Sequence, residues 1–363
     1  MHYPVVPSDS SGKTSFYLFI STLSFGSGWF SLSFVIPLLA QNIGFPYVVI
    51  GILGFLAALP FPVVAFIYLK SGYRMLRYGT VIPLLSLAAL SLLFYFFYSS
   101  YFIPLTVIAS IMQAPWWIAT EISLGTFSGT RNAEKYSAGW GIPNALAPLI
   151  MGAILQISGY EIVFLVSMSA FIAGALTSPR PGMLPEQKEE KPVKRIYLLS
   201  LFFAGIFSGF IYFVMEPVLR AQGFNYLIIG GVISLYGVVA AIGYIILNYA
   251  RDLKISTYSA LSALLIVPTA IIGVSLNLYT IVISVILAGF GVSIGMSKVL
   301  SYIAGSSDVK RGVFYYEMFF GTGFMAGSLL QDVLYQYIGK FTILLMFIIP
   351  LIYAVAILSG KWH

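Results

Sequence analysis

An all-α membrane protein, with twelve transmembrane helices in two six-helix bundles related by a pseudo-twofold axis, is what the amino-acid sequence predicts. The grounds are its composition, the length of its apolar runs and the placement of its basic residues. Of 363 residues 59% are apolar and only 9% are charged. A soluble domain carries about a quarter charged residues, because its surface must face water. Nineteen basic and twelve acidic residues are too few to solvate a chain of this size. Mean hydropathy is +0.94. A soluble enzyme, a disordered chain and a nucleic-acid binder are therefore excluded.

A hydrocarbon core of about 30 Å takes about 20 apolar residues per helix. Apolar runs of that length fall at 15–40, 47–69, 78–98, 101–126, 136–157, 160–178, 196–217, 226–248, 256–275, 279–304, 313–336 and 340–359. None has a period of two, so helices are expected and a transmembrane barrel is not. Span 1 lacks a small-residue cleavage site and is expected to be a retained helix. It carries a stripe of Ser24, Ser27, Gly28 and Ser31, which suits close helix packing or a polar path. Span 2 follows a Gly-Phe-Pro turn and ends at Lys70. Span 3 is featureless, whereas span 4 holds Pro115, Trp116, Trp117 and Glu121. The two tryptophans fit either lipid or a path. Span 5 is rich in Gly and Pro, and span 6 is short. In span 7, Ser208, Tyr212 and Glu216 recur every four residues as a polar stripe. Spans 8, 9 and 12 carry no charge in their interiors. Span 10 has Gly289, Gly291, Gly295 and Lys298, and span 11 has Glu317 and Asp332.

With a cytoplasmic N-terminus, sixteen of the nineteen basic residues fall in cytoplasmic segments. Only Arg220 and Lys340 fall outside, and Lys298 lies within the membrane. That bias predicts a multi-pass cell-membrane protein with both termini cytoplasmic. It also accounts for a pI near 9.3 without a nucleic-acid partner, since the positive charge faces anionic lipid. The polar, Pro-containing stretch 179–195 divides the chain into an N-terminal bundle (1–178), a cytoplasmic linker and a C-terminal bundle (196–363). There are no cysteines, and the only histidines are His2 and His363. Thiol chemistry, a cysteine or histidine metal site and a haem ligand in the membrane are thereby removed, and no cofactor or metal is expected.

The halves echo each other. Gly44, Phe45, Tyr47, Ile50 and Gly51 recur as Gly223, Phe224, Tyr226, Ile229 and Gly230, an offset of 179. Gly152, Leu155 and Gln156 recur as Gly327, Leu330 and Gln331, an offset of 175. Two six-helix halves in the same orientation are a parallel repeat. At this point the chain resembles the major facilitator superfamily of secondary transporters, over its whole length. The most specific local match is the G-F-P-Y-V-V-I-G approach to span 2, followed by a loop resembling the family's Gly-x-x-x-Asp-Arg-x-Gly-Arg-Arg motif. Lys70, Gly72, Arg74 and Arg77 keep its character, but the acidic residue is missing.

Ionisable groups inside a bilayer are costly and usually functional. Glu121 in span 4 and Lys298 in span 10 are 177 residues apart, close to the repeat offsets, so they occupy similar depths. The resemblance implies that spans 1, 4, 7 and 10 line a central cavity. An acid and a base facing each other there would form a latch. The alternative pairs Glu121 with a loop base such as Arg131, and Lys298 with lipid headgroups or Glu317. Gln113, Trp117, Thr120 and Glu121 share one helical face. With Tyr212, Glu216 and Lys298 they are the candidate substrate and coupling residues. No P-loop is present, so ATP-driven transport within this chain is excluded. The expected activity is that of a non-enzymatic secondary transporter moving a small organic solute by alternating access. Protons are the economical coupling ion, and a monomer is expected. A passive uniporter is a variant, and a transport-inactive sensor, scaffold or complex subunit of the same fold is the alternative.

Overall fold

A computed structural model describes residues 10–70, 78–124, 132–179, 195–249, 254–304 and 309–359. Among them there is no strand. The helices are α1 (Ser10–Ile43), α2 (Tyr47–Ala58), α3 (Pro60–Lys70), α4 (Ile82–Leu124), α5 (Asn132–Ile157), α6 (Tyr160–Thr177) and α7 (Arg195–Gly209). A π-helical turn (Phe210–Met215) leads into α8 (Glu216–Ala221). Then come α9 (Tyr226–Tyr249), α10 (Ile255–Ile266), α11 (Ala270–Val274), α12 (Leu278–Ala304), α13 (Val309–Ile338), α14 (Phe341–Met346) and α15 (Ile348–Leu358). Nine helical segments among the described residues are long and apolar enough to cross a membrane. Residues 180–194 of the expected 179–195 linker and both chain ends lie outside the described residues.

The longest helix, α4, has 43 residues. At 1.5 Å per residue a straight rod of that length would be about 65 Å, twice the thickness of a bilayer core. It is not straight: Tyr101 sits at φ −124° and ψ 27°, where the chain breaks between the two apolar runs. Large apolar side chains such as Phe96, Tyr101, Ile157, Leu176 and Tyr279 are exposed on the outer surface, as a lipid-facing surface requires. The interior is packed with aromatic residues. Phe25 of α1 stacks on Trp116 of α4 with ring centroids 3.8 Å apart, so Trp116 is a core residue.

The repeated Gly-Phe pairs are helix stops. Gly44 takes φ 96° and Gly223 takes φ 87°, values that favour glycine because it has no Cβ to clash. At the first, Gly44 N donates to Gln41 O and Phe45 N to Ala40 O. At the second, Gly223 N donates to Arg220 O and Phe224 N to Leu219 O. Both are the same paired bonds of a left-handed helix cap, with the following Phe packed back on the core.

The two sequence halves meet along α5 with α9 and along α2 with α13. Small residues allow the close approach. A Cβ added to Gly230 would lie 2.3 Å from Pro148 O, and one on Gly237 would lie 2.4 Å from Asn144 O. Pro148 has no N–H, so Asn144 O loses its partner four residues on. The backbone of Gly237 moves into that gap. Leu149 N donates to Ser234 Oγ at 2.8 Å, a further bond between α5 and α9. On the other flank, a Cβ on Gly54 would sit 2.5 Å from Ser328 Cβ, and one on Gly51 2.7 Å from Asp332 Cβ. With lipid outside, tight contacts of this kind carry helix association, because hydrophobic burial adds little there. The span 1 stripe belongs to packing. Ser27 and Ser31 bond carbonyls of their own helix, and Gly28 abuts the Phe171 ring.

Candidate functional site

A cavity of about 120 Å³ lies between the halves. The N-terminal half supplies Trp29 and Phe30 from α1, Phe61 from α3, Gln113, Trp117 and Glu121 from α4, and Tyr136, Trp140 and Asn144 from α5. The C-terminal half supplies Ser208 from α7, Tyr212 from the π-helical turn, Tyr236 from α9, Met296 and Leu300 from α12, and Tyr316, Glu317 and Phe320 from α13. Helical spacing accounts for the α4 and α5 sets. Gln113, Trp117 and Glu121, like Tyr136, Trp140 and Asn144, stand four residues apart and share a face.

The aromatic wall is continuous. Trp117 meets Tyr136 edge-on at 6.1 Å and Trp140 at 6.3 Å. Phe30 lies 6.5 Å from Trp140 and 6.1 Å from Tyr212, and Tyr212 meets Tyr236 at 6.0 Å. Such edge-to-face pairs hold rings in fixed orientations.

The polar groups are few. Tyr136 donates its hydroxyl to Glu121 Oε1 at 3.0 Å. The carboxyl of Glu317 lies beside that of Glu121, close enough for the two acids to interact directly. The second oxygen of each, Oε2, is buried with no hydrogen-bond partner among the described residues. Tyr212 donates to Asn144 Oδ1, a hydrogen bond that joins the halves at the cavity wall. Ser208 and Tyr236 hydroxyls are 3.3 Å apart. Gln113 Nε2 donates to Ala57 O at 3.0 Å, while its Oε1 is buried with no partner among the described residues.

Of the residues singled out in the sequence, Glu121, Gln113, Trp117 and Tyr212 line the cavity. Thr120 is buried but does not line it, and Glu216 is buried beyond the π-helical turn with no hydrogen-bond partner for either carboxyl oxygen among the described residues. Pro217 offers no N–H to Phe213 O, and just before it the helical ladder widens into the π form. Lys298 belongs to α12, but its side chain lies outside the described residues. Lys70 ends α3 with its ammonium 5.9 Å from the Phe66 ring centre. Gly72, Arg74 and Arg77 lie outside the described residues. Sequence reasoning noted Glu317 but not its place beside Glu121, and it passed over Tyr136, Trp140 and Asn144. Asn144, a lone amide between two prolines in an apolar helix, was the signal available.

At the end bearing Gly44 and Gly223 the two halves touch. There Gln41 Nε2 donates to Pro217 O at 2.9 Å, and the hydroxyls of Tyr160 and Tyr226 are 3.2 Å apart. Tyr47 packs edge-on against Tyr335, centroids 5.2 Å apart.

Neither a protein-family model nor a curated protein matches the sequence. Solved structures do match the architecture. The human organic anion transporter MFSD10 (TETRAN) aligns with a TM-score of 0.69 at 15% identity, over 97% of this chain and all of that one. A POT family transporter, solved in complex with a thioalcohol conjugated peptide, aligns with a TM-score of 0.75 at 10% identity, over 96% of each chain. The chain shares the fold of these two transporters, which is like that of the major facilitator superfamily. Its helices make this a multi-pass membrane protein, and the cavity between the halves is the candidate site.

Proposed function

We propose that this protein is a secondary transporter that moves a small organic solute across the cell membrane by alternating access, coupled to protons. The observation that carries the reading is the cavity itself. It is built from both halves and holds two acids, so a relative motion of the halves would remake the site. We read the chain as twelve spans in two bundles, 1–178 and 196–363, with the 179–195 linker and both termini cytoplasmic. The break at Tyr101 divides α4 into two of those spans, and the less apolar α13 and the shorter α10–α11 stretch supply two more.

Glu121 and Glu317 are the coupling groups in this reading. Two ionised carboxylates in contact in a water-poor site repel strongly, and a proton or a cation placed between them relieves that repulsion. Trp117, Gln113 and Tyr212 contact the solute. The test is uptake into proteoliposomes from a panel of radiolabelled solutes, with and without an imposed pH gradient. The wild type is expected to accumulate at least one solute only with the gradient. Glu121→Gln and Glu317→Gln are expected to lose that accumulation while eluting as folded monomers. A protein that moves no solute under either condition would belong to the transport-inactive alternative, and gradient-independent equilibration would make it a uniporter.

A further inference from the structure

We propose that the cavity binds an organic monocation carrying an aromatic or methylated ammonium group. The inference names the cargo of the transporter reading and rests on it only for movement, not for binding. Charge is the first support. Among the described residues four carboxyls are buried, those of Glu121, Glu216, Glu317 and Asp332, and no lysine or arginine is. Two of these acids, Glu121 and Glu317, meet at the cavity wall, and each keeps one buried oxygen free of any hydrogen bond among the described residues. No described lining residue is basic. An anion brought here would meet carboxyls and ring faces with no described cation to receive it.

The shape of the wall is the second, independent support. Rings of Trp29, Trp117, Tyr136, Trp140, Tyr212 and Tyr316 surround the space. Their faces carry the negative end of the ring quadrupole, which attracts a weakly hydrated cation and gives a neutral molecule nothing comparable. The phenol of Tyr136, already engaged with Glu121, donates towards the acid and leaves its ring as wall. Two carboxyls among aromatic rings form a receptor for a single positive charge on an apolar body. The volume of about 120 Å³ restricts that body to a small one in this conformation.

The experiment measures binding to the purified full-length protein in detergent, by tryptophan fluorescence and calorimetry. The probes are phenyltrimethylammonium, neutral N,N-dimethylaniline and anionic benzenesulfonate. Phenyltrimethylammonium is expected to bind at least about tenfold more tightly than either of the others, a preference that cation–π and charge contacts supply. Glu121→Gln and Glu317→Gln are each expected to weaken it, and Trp117→Leu to weaken it without changing the protein's elution. The comparison of probes on the wild type needs no variant to fold. Equal binding of the neutral probe would overturn the proposal. So would benzenesulfonate binding that disappears in Lys298→Ala, which would give the cavity to an anion. Proteoliposome uptake separates the two readings. A cation that binds but is never moved upholds the cation site and removes the transporter. Transport of another solute that phenyltrimethylammonium does not inhibit removes the cation site and leaves the transporter standing.

Discussion

At the scale of single residues, the contact between Tyr212 and Asn144 ties the two halves at the cavity wall. The phenol donates, the amide oxygen accepts, and both side chains are buried. Removing the donor leaves a buried acceptor unpaired, which costs about 1–3 kcal/mol. Removing both partners leaves no orphan. Tyr212→Phe is therefore expected to lower thermal stability in detergent, and Tyr212→Phe with Asn144→Leu to recover part of the loss. A double-mutant cycle on melting measurements checks this: a coupling energy near zero would mean that the bond contributes nothing to joining the halves. Gln113 adds a second case: its amide nitrogen donates to the buried Ala57 carbonyl, and its oxygen is buried with no partner among the described residues. Gln113→Leu removes that donor and is expected to lower the melting temperature modestly as well as to alter solute affinity. A large fall in stability with unaltered affinity would make Gln113 a structural residue.

At the scale of elements, the α5–α9 pair is held by backbone contact. Gly230 faces Pro148 O and Gly237 faces Asn144 O at separations no Cβ could share. Because the obstacle is main chain, it cannot rotate aside as a flexible side chain would. Gly237→Ala is expected to force the helices apart and to cost about 1–3 kcal/mol, the usual range for overpacking. Gly231→Ala, where an added Cβ meets nothing within 4 Å, is expected to be neutral. Melting curves of the two variants check the contrast, and equal stability would deny that the interface is backbone-limited. These elements also show what a sequence discloses. The Gly-Phe stops were legible because a helix cap is local: a few consecutive residues, one positive φ and two backbone bonds. Nine helical segments of spanning length among the described residues were legible because about twenty apolar residues are needed whatever surrounds them. The approach of Glu317 to Glu121 was not legible, since it depends on how far α13 is rotated about its own axis relative to α4. A shift of one residue turns a side chain by about 100°, and nothing in either helix alone fixes that angle. The same reason hid Tyr136 and Trp140, whose aromatic character fits lipid, core or cavity equally well.

At the scale of the whole molecule, some contacts between the halves must break for a solute to pass. Contacts between the halves gather at the end bearing Gly44 and Gly223. They run from Gln41 to Pro217, from Tyr47 to Tyr335 and from Tyr160 to Tyr226. These are a few polar and edge-to-face contacts, each worth about 1 kcal/mol, and together they form a small barrier beside the long α5–α9 and α2–α13 seams. A transporter that opens alternately at its two ends has to part this cluster while the seams rock. The native chain has no cysteine, so a pair introduced here reacts alone. With Tyr47→Cys and Tyr335→Cys, a short bifunctional thiol reagent is expected to stop uptake into proteoliposomes, and a reductant-cleavable version to restore it on reduction. Each single variant treated in the same way is expected to stay active, since one tethered thiol leaves the halves free. If the doubly substituted, cross-linked protein keeps its full rate, that end does not open, and transport through this cavity would have to use a path that never separates Tyr47 from Tyr335.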